Sequence, residues 1–518
     1  MSELLRQVPA DSLITGWDFS TSGVKCLAFR TTGELVAEVR LPTDLYHGDP
    51  PEEGRFELSL LQLEGQARAC TRMMADRLKE LKQLENWRAG GISATHHTAG
   101  RVDGSLAQVR RAICWNDQTL ATYHRRGLKR LGGQRRAQEL IGGPWAIRYS
   151  LSHLVKDEEH LSEEDWKRTR WILQHGAAAA GFLTGNFSVV SVSAAASTGL
   201  MDLRRRRWSR GMLEALASPA YRKLVVKQLP KIIDQNEPVG RLSPGLAADA
   251  GIEPATAPLV FPTSDDQQAG LVGGGAVSDG QVAVILGTSA VVNSSSDKPP
   301  EKGSLDVMRL NWGPWLWMRC YTNGAGLINQ LFGDAPDFAK LEQAASRVPA
   351  GCDGTSVLPF VLSEPSVGVP EPRVEWHPAE PSQAGVRYRA ALEALAYLIA
   401  LAVKEHERAG QNIQRITVSG GMARSSLMCR ILASTLNRPL QRLESDEGPA
   451  LGAAVTALAA AETHLRRAVD DPQPMTVAEA VSTMVRFRDS VEPEPELVPV
   501  YRDGLKQFRS LLKNRPTR

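Results

Sequence analysis

Two short segments, one in each half of this 518-residue chain, share a build that limits its possible folds more than any other feature. Leu13 to Phe19 and Val24 to Arg30 are strand-like runs joined by Ser20-Thr21-Ser22-Gly23. Val282 to Leu286 and Val291-Val292 are joined through Gly287-Thr288-Ser289. Apolar and β-branched runs broken by Gly, Ser and Thr read as hairpins. After the turn Thr31-Thr32-Gly33-Glu34 a third strand is expected over Leu35 to Leu41, with others over Leu259 to Pro262 and Arg415 to Val418. Between them the period changes: Cys70, Met73, Met74, Leu78 and Leu81 line one face of a helix, and Arg387 to Glu407 reads as a long helix stopped by Gly410. Strands mixed with helices predict an α/β protein. A chain of this length exceeds one hydrophobic core, so two large domains are expected.

Each hairpin turn is rich in small and hydroxyl residues, and such turns can offer backbone N–H groups and hydroxyls to phosphate oxygens. An ordinary hairpin would look the same. The proline-rich stretch Pro365 to Pro381 is expected to be a surface loop or flap. Asp470 to Pro474 and Glu492 to Pro495 are expected to bound a C-terminal helical extension. The run Arg204 to Arg207 reads as a solvated turn.

Charge excludes several classes of function. Lys and Arg total 61 against 58 Asp and Glu, a formal charge of +3, far from the basic excess of a nucleic-acid binder. The apolar runs Val282 to Val292 and Ala450 to Ala461 fall short of the roughly 18 residues that a spanning helix needs, so no membrane partner is expected. The first residues lack a basic segment followed by an apolar one, which argues against secretion. Six cysteines are scattered with no C-x-x-C pair, so neither a disulfide framework nor a zinc site is expected. Reduced thiols in a cytoplasmic protein are the expectation.

Four segments could carry chemistry. In Gly16-Trp17-Asp18-Phe19-Ser20-Thr21-Ser22-Gly23-Val24-Lys25, an acid at a strand end could hold a hydrated Mg²⁺ or stabilise its own turn. Ser93 to Gly100 contains the adjacent His96 and His97, expected on opposite faces of a strand so that at most one meets a ligand. Trp115-Asn116-Asp117 could give an apolar wall and two hydroxyl-binding groups, or a structural Trp. Asp265-Asp266-Gln267-Gln268 offers either a general base or a helix cap. Lastly, Gly420-Gly421-Met422-Ala423-Arg424-Ser425, after a buried strand, lets backbone approach a flat ligand such as adenine. The Ala/Gly run after Gly448 requires a closely packed helix. There is no Walker A loop and no G-x-G-x-x-G.

Together and in this order, the segments resemble the FGGY carbohydrate kinases, and within them the xylulose kinases. Gly-Trp-Asp-Phe-Ser-Thr is similar to the metazoan-type opening where many relatives carry Gly-Ile-Asp-Leu-Gly-Thr. Phe182 to Gly185, Asp202-Leu203 with Trp208-Ser209, Gly287-Thr288-Ser289, and Val491 to Pro493 with Val500-Tyr501 extend the resemblance over nearly the whole chain. The resemblance implies an α/β fold of two actin-like ATPase (RNase-H-like) domains flanking a deep catalytic cleft. Residues 1–272 would bind sugar, 273–465 ATP, and 466–518 would form the extension.

The implied activity is ATP-dependent phosphorylation of a primary hydroxyl of a small ketose, D-xylulose first. Ribulose, another ketose or glycerol would be alternatives, as would a non-catalytic ATP-binding sensor. Asp266 would be the base, and Asp18 would contact Mg²⁺ through water. His97, Trp115, Asn116, Asp117, Asp266 and Gln267 would face the sugar. Thr21, Ser22, Lys25, Gly287, Thr288, Gly420, Gly421 and Ser425 would face ATP. A monomer or homodimer is expected. The chain departs from the family pattern in three places: Thr95-His96 replaces Gln-Met before His97, Ser193 to Gly199 lacks an acid, and Gln267-Gln268 is reminiscent of glycerol kinase.

Overall fold

All seven residues of the first strand, Leu13–Phe19, are buried, because in the computed structural model it lies between two partners. It pairs antiparallel with Gly23–Arg30 and parallel with Trp87–Ala94. The structure describes residues 7–333 and 335–513. They divide into two compact units. Unit 1 comprises residues up to Gly273, Asp306–Leu316 and Pro449–Val485; unit 2 comprises Gly274–Leu305, Trp317–Gly448 and the residues from Arg486.

The unit 1 sheet runs Gly240–Arg241, Leu259–Val260, Trp87–Ala94, Leu13–Phe19, Gly23–Arg30, Leu35–Pro42, with Ser264–Asp265 pairing beside Trp87–Ala94. Its main cover includes the helix Leu60–Glu80, which buries Leu63, Cys70, Met74 and Leu78. Ser59 caps this helix by accepting from Gln62 N, and Arg77 and Lys79 sit in its last turn. The small-residue helix Gly448–Ala468 packs so closely on the sheet that a Cβ on Gly16 would fall onto the carbonyl of Ala450. This is the close packing expected from the Ala/Gly run.

Unit 2 repeats the plan. Gln281–Leu286 pairs antiparallel with Ala290–Ser296 and parallel with Arg415–Ser419, which in turn runs parallel to Leu440–Leu443. In both units, then, a hairpin is followed by a parallel partner on its first strand, and the two turns named from sequence occupy the same place. The long helix is Ala384–Arg408, and Gly410 follows it with φ of 114°.

Two expectations change. Within the proline-rich stretch, Arg373–His377 is a strand paired antiparallel with Ser356–Phe360, so only part of it is loop. The segment 466–518 is not a purely helical extension. Val477–Met484 lies in unit 1, whereas Phe487–Val491 adds an edge strand to the unit 2 sheet and Val498–Lys513 buries Tyr501, Leu505 and Phe508. The edge strand is held across its register by Arg442 Nε donating to Asp489 Oδ1 at 2.6 Å, a pairing that no local pattern announces. The arginine run forms the turn of the short hairpin Met201–Asp202/Arg207–Trp208, with Arg206 in the left-handed region. No described helix is long and apolar enough to cross a membrane. None of the six cysteines forms a disulfide.

Candidate functional site

In unit 1 the strand ends bring Asp18, His96, His97, Asp265 and Asp266 to one region. Asp18 stands opposite Lys25 in the hairpin register and beside Ser93 in the parallel one. Ser93 Oγ donates to its Oδ1 at 2.8 Å. Thr21 is half-buried and Ser22 exposed in the turn, where Ser20 Oγ donates to Gly23 O at 2.8 Å.

The two adjacent acids have different jobs. Asp265 accepts from Gln268 N at 2.9 Å, which caps the helix Asp266–Gly273, and it accepts from Ser193 Oγ as well. Asp266 Oδ1 is buried with no hydrogen-bond partner. Burial pushes the Asp266 carboxyl well above the usual carboxylate range, and the charges of Asp265 and Asp18 push the same way. The capping alternative therefore falls to Asp265. Gln268 is locked into the core, its Nε2 donating to Ser264 Oγ at 2.5 Å and its Oε1 accepting from Asn311 N at 2.8 Å, while Gln267 is half-buried next to Asp266.

His96 and His97 do not alternate across a strand. The strand ends at Ala94, and His97 takes a left-handed φ of 58°, so the two rings stack at 3.8 Å with an interplanar angle of 11°. Tyr149 stacks on the other side of His97 at 4.4 Å. His97 Nδ1 meets Ser197 O at 2.7 Å. Burial lowers the affinity of both imidazoles for a proton, and the neighbouring His96 ring adds to this for His97. Tyr149 and Asn311 escaped the sequence reading because they come from distant segments with no motif of their own, and Ser193 entered it only as the start of a stretch lacking an acid.

The Trp115-Asn116-Asp117 segment behaves otherwise. Asp117 Oδ2 accepts from Phe56 N at 3.0 Å, and Oδ1 accepts from Thr119 N at 2.9 Å and from Thr119 Oγ1. Both carboxylate oxygens thus hold backbone. Asn116 Oδ1 is buried and without a partner, and Trp115 is half-buried.

In unit 2 three loops converge beyond Gln281–Leu286 and Arg415–Ser419. Thr288 is exposed at the hairpin turn, where Gly287 N donates to Ser289 O at 3.0 Å. Ala325 N donates to Gly287 O at 3.0 Å, and a Cβ on Gly324 would come within 2.6 Å of the carbonyl oxygens of Gly287 and Thr288. Gly420, at φ of 90°, has the Leu286 carbonyl 2.5 Å from where a Cβ would sit, while Gly421 opens onto free space. Ser425 Oγ accepts from Met428 N at 3.0 Å as the cap of Ser426–Leu436. Asn323 and Glu364, absent from the sequence reading, lock this region: Glu364 Oε2 accepts from Thr322 N at 2.7 Å, and Asn323 Oδ1 from Leu362 N at 2.8 Å.

A polar cavity of about 660 Å³, bordered by Arg55, Glu57, Arg110 and Asp157, contains none of the predicted residues. Its charges pair with one another, Arg55 with Glu57 at 3.1 Å and Arg110 with Asp157 at 2.8 Å.

Comparison with known proteins gives this geometry a context. A curated xylulose kinase of Haemophilus influenzae is 26% identical over 375 residues, covering 71% of this chain and 74% of that one. A gluconokinase of Bacillus subtilis is 24% identical over 469 residues, covering 86% and 87%. The crystal structure of a xylulose kinase from Lactobacillus acidophilus superposes with a TM-score of 0.81 over 97% of this chain and 98% of that one, at 17% identity, which shows a shared two-domain actin-like ATPase fold. The model of the FGGY N-terminal domain matches residues 13–273 and that of the C-terminal domain residues 282–461. The chain belongs to the FGGY family of carbohydrate kinases, whose members use ATP as phosphoryl donor.

Proposed function

We propose that this carbohydrate kinase phosphorylates a primary hydroxyl of a small ketose, D-xylulose first, with Asp266 as general base. The observation that carries the reading is the buried, unpartnered Oδ1 of Asp266 among Asp18, His96 and Asp265. A desolvated carboxylate with raised proton affinity is suited to take a hydroxyl proton. As that oxygen bonds to the γ-phosphorus, the bond to the ADP oxygen breaks and the proton passes to Asp266. His97, Asn116 and Gln267 would hold other hydroxyls of the sugar and Trp115 would wall it, and Asp117 would act by fixing the Trp115-Asn116 segment.

The Mg²⁺ that such a transfer requires neutralises phosphate charge. The residues present fit it: Asp18 is a single buried carboxylate steadied by Ser93, and Mg²⁺ keeps most of its waters. The group His96, Asp265 and Asp266 suits Mg²⁺ less well, because an imidazole is a poorer donor for a hard ion. Thr21, Ser22, Lys25, Gly287 and Thr288 would receive the phosphates. Gly420 and Gly421 would lie under the adenosine, with Ser425 shaping the loop. We assign sugar recognition to 1–272, nucleotide recognition to 273–465 and the C-terminal extension to 466–518, in a cytoplasmic monomer or homodimer.

The test is sugar-dependent ADP release with D-xylulose, D-ribulose, L-ribulose and glycerol under identical conditions, compared as kcat/KM. D-Xylulose is expected to lead. Glycerol in first place would overturn the ketose reading, and turnover of none would turn the protein into an ATP-binding sensor.

A further inference from the structure

Three of the unpartnered buried polar atoms of unit 1 fall in one neighbourhood: Nε2 of His96, Nε2 of His97 and Oδ1 of Asp266. The imidazoles stack at 3.8 Å, and a ring nitrogen of His96 lies within 4.8 Å of carboxylate oxygens of Asp265 and Asp266. Buried polar groups are nearly always satisfied, so a cluster of orphans has the form of a missing ligand's imprint.

What each ring can offer follows from its other nitrogen. His97 Nδ1 faces the carbonyl of Ser197, an acceptor, so the proton sits on Nδ1 and Nε2 carries a lone pair. His96 Nδ1 lies 3.7 Å from Asp265 Oδ1, and that negative charge favours the proton on the same nitrogen. Its Nε2 is therefore an acceptor too. Both rings are kept neutral, chiefly by burial. Arg148, the cation that acts on both rings, is held by Asp306. The result is a lining with two lone pairs beside two carboxylates.

We propose that His96 is a specificity residue that touches the substrate: its Nε2 accepts a hydrogen bond from a hydroxyl near the one that reacts at Asp266, so that the site takes a neutral polyhydroxy substrate and rejects a sugar acid. This rests on Asp266 being the base and deepens that reading by naming the substrate class. A sugar hydroxyl donates to such an acceptor. A carboxylate has no proton to give, and it would place its charge against Asp265, Asp266 and two lone pairs in a water-poor site. The other role open to His96, a flat wall for His97, needs only the ring.

Two variants separate these roles. His96→Phe keeps the ring over His97 and removes the acceptor. His96→Gln removes the ring and keeps an oxygen near the place of Nε2. With the neutral sugar that the wild-type protein prefers, His96→Phe is expected to lower kcat/KM by about 10-fold, the scale of one lost hydrogen bond, with KM for ATP unchanged. His96→Gln should recover much of the loss. Wild-type protein should turn over D-gluconate at under roughly a hundredth of the preferred neutral sugar, on the scale of discrimination reached by matched hydrogen bonds.

An unchanged kcat/KM in His96→Phe overturns the proposal, as does wild-type turnover of D-gluconate equal to that of the best neutral sugar. The D-gluconate comparison needs no variant, so it decides even if both variants fail to fold. Ribulose or glycerol in place of D-xylulose would end the ketose reading while leaving His96 to be judged on that substrate. No turnover of any neutral sugar would end both.

Discussion

In unit 1 the groups assigned to ligand are side chains: Asp18, His97 and Asp266 stand at the ends of buried strands, desolvated and partly unpartnered. In unit 2 they are mostly backbone. Gly324 and Gly420 bring carbonyls together where a side chain would not fit, Gly287 and Gly421 leave the backbone uncovered beside them, and Ser425 serves as a helix cap. The same hairpin-plus-parallel-strand plan thus ends in a cluster of buried polar side chains in one unit and in closely approaching backbone in the other. The first depends on charge and burial, the second on the space left by missing Cβ atoms. Perturbations of charge should therefore act on unit 1 and perturbations of volume on unit 2.

The largest contrast is within the acid pair. Asp266→Asn should lower kcat by roughly 10²–10⁴-fold with KM for ATP nearly unchanged, whereas Asp265→Asn should act first on thermal stability, since Asp265 holds the helix cap and Ser193. Steady-state kinetics with melting curves decides, and the reverse pattern would reassign the base.

In unit 2, Gly324→Val places a branched side chain against two carbonyl oxygens 2.6 Å from the Cβ position. Overpacking of this kind costs about 1–3 kcal/mol, so KM for ATP should rise roughly 10- to 100-fold with KM for the sugar little altered. A normal KM for ATP in the folded variant would remove these loops from the nucleotide site.

Acidification should separate the units as well. His96, His97, His124, His153 and His175 in unit 1 all have lowered proton affinity, burial being the main cause; His175 falls to about 4. In unit 2 His406 is likewise lowered to about 4. Unfolded histidines take up protons near pH 6.5, and the folded ones do not until lower pH. Stability is thus full above about 6.5 and is lost as pH falls from there toward 4. Hydrogen exchange at pH 7 and 5.5 should show protection falling more in the strands of unit 1 than in those of unit 2. Equal losses would break the contrast.

The smallest effect concerns Asp117. Asp117→Asn weakens the bonds to Phe56 N and Thr119 N, and a lost cap costs about 1 kcal/mol. Tm should fall by a few degrees, with only a small rise in KM for the sugar as the Trp115-Asn116 segment loosens. A large rise in KM without loss of stability would return Asp117 to the sugar site.

The strands around Asp18, the long helix before Gly410 and the kinship of the two hairpins were legible because local periodicity and turn chemistry carry them. The edge strand Phe487–Val491 was not, since its pairing depends on Arg442 lying opposite Asp489. The stacking of His96 on His97 was hidden for a similar reason. Adjacent residues alternate on a strand, but this strand stops at Ala94 and the backbone at His97 turns left-handed.

By itself the sequence determined the kinds of chemistry available: an acid at the end of the first strand, two acids in a row, two glycine-rich turns, and their order along the chain. Only the tertiary structure decided which acid keeps a buried oxygen without a hydrogen bond. Asp265 and Asp266 are the same residue type, one position apart, and either could cap the helix that follows. What separates them is Ser193, 72 positions away, which bonds Asp265 and leaves Asp266 Oδ1 buried and unpartnered. Proton affinity and hydrogen-bond vacancy are properties of surroundings, and long-range packing supplies the surroundings.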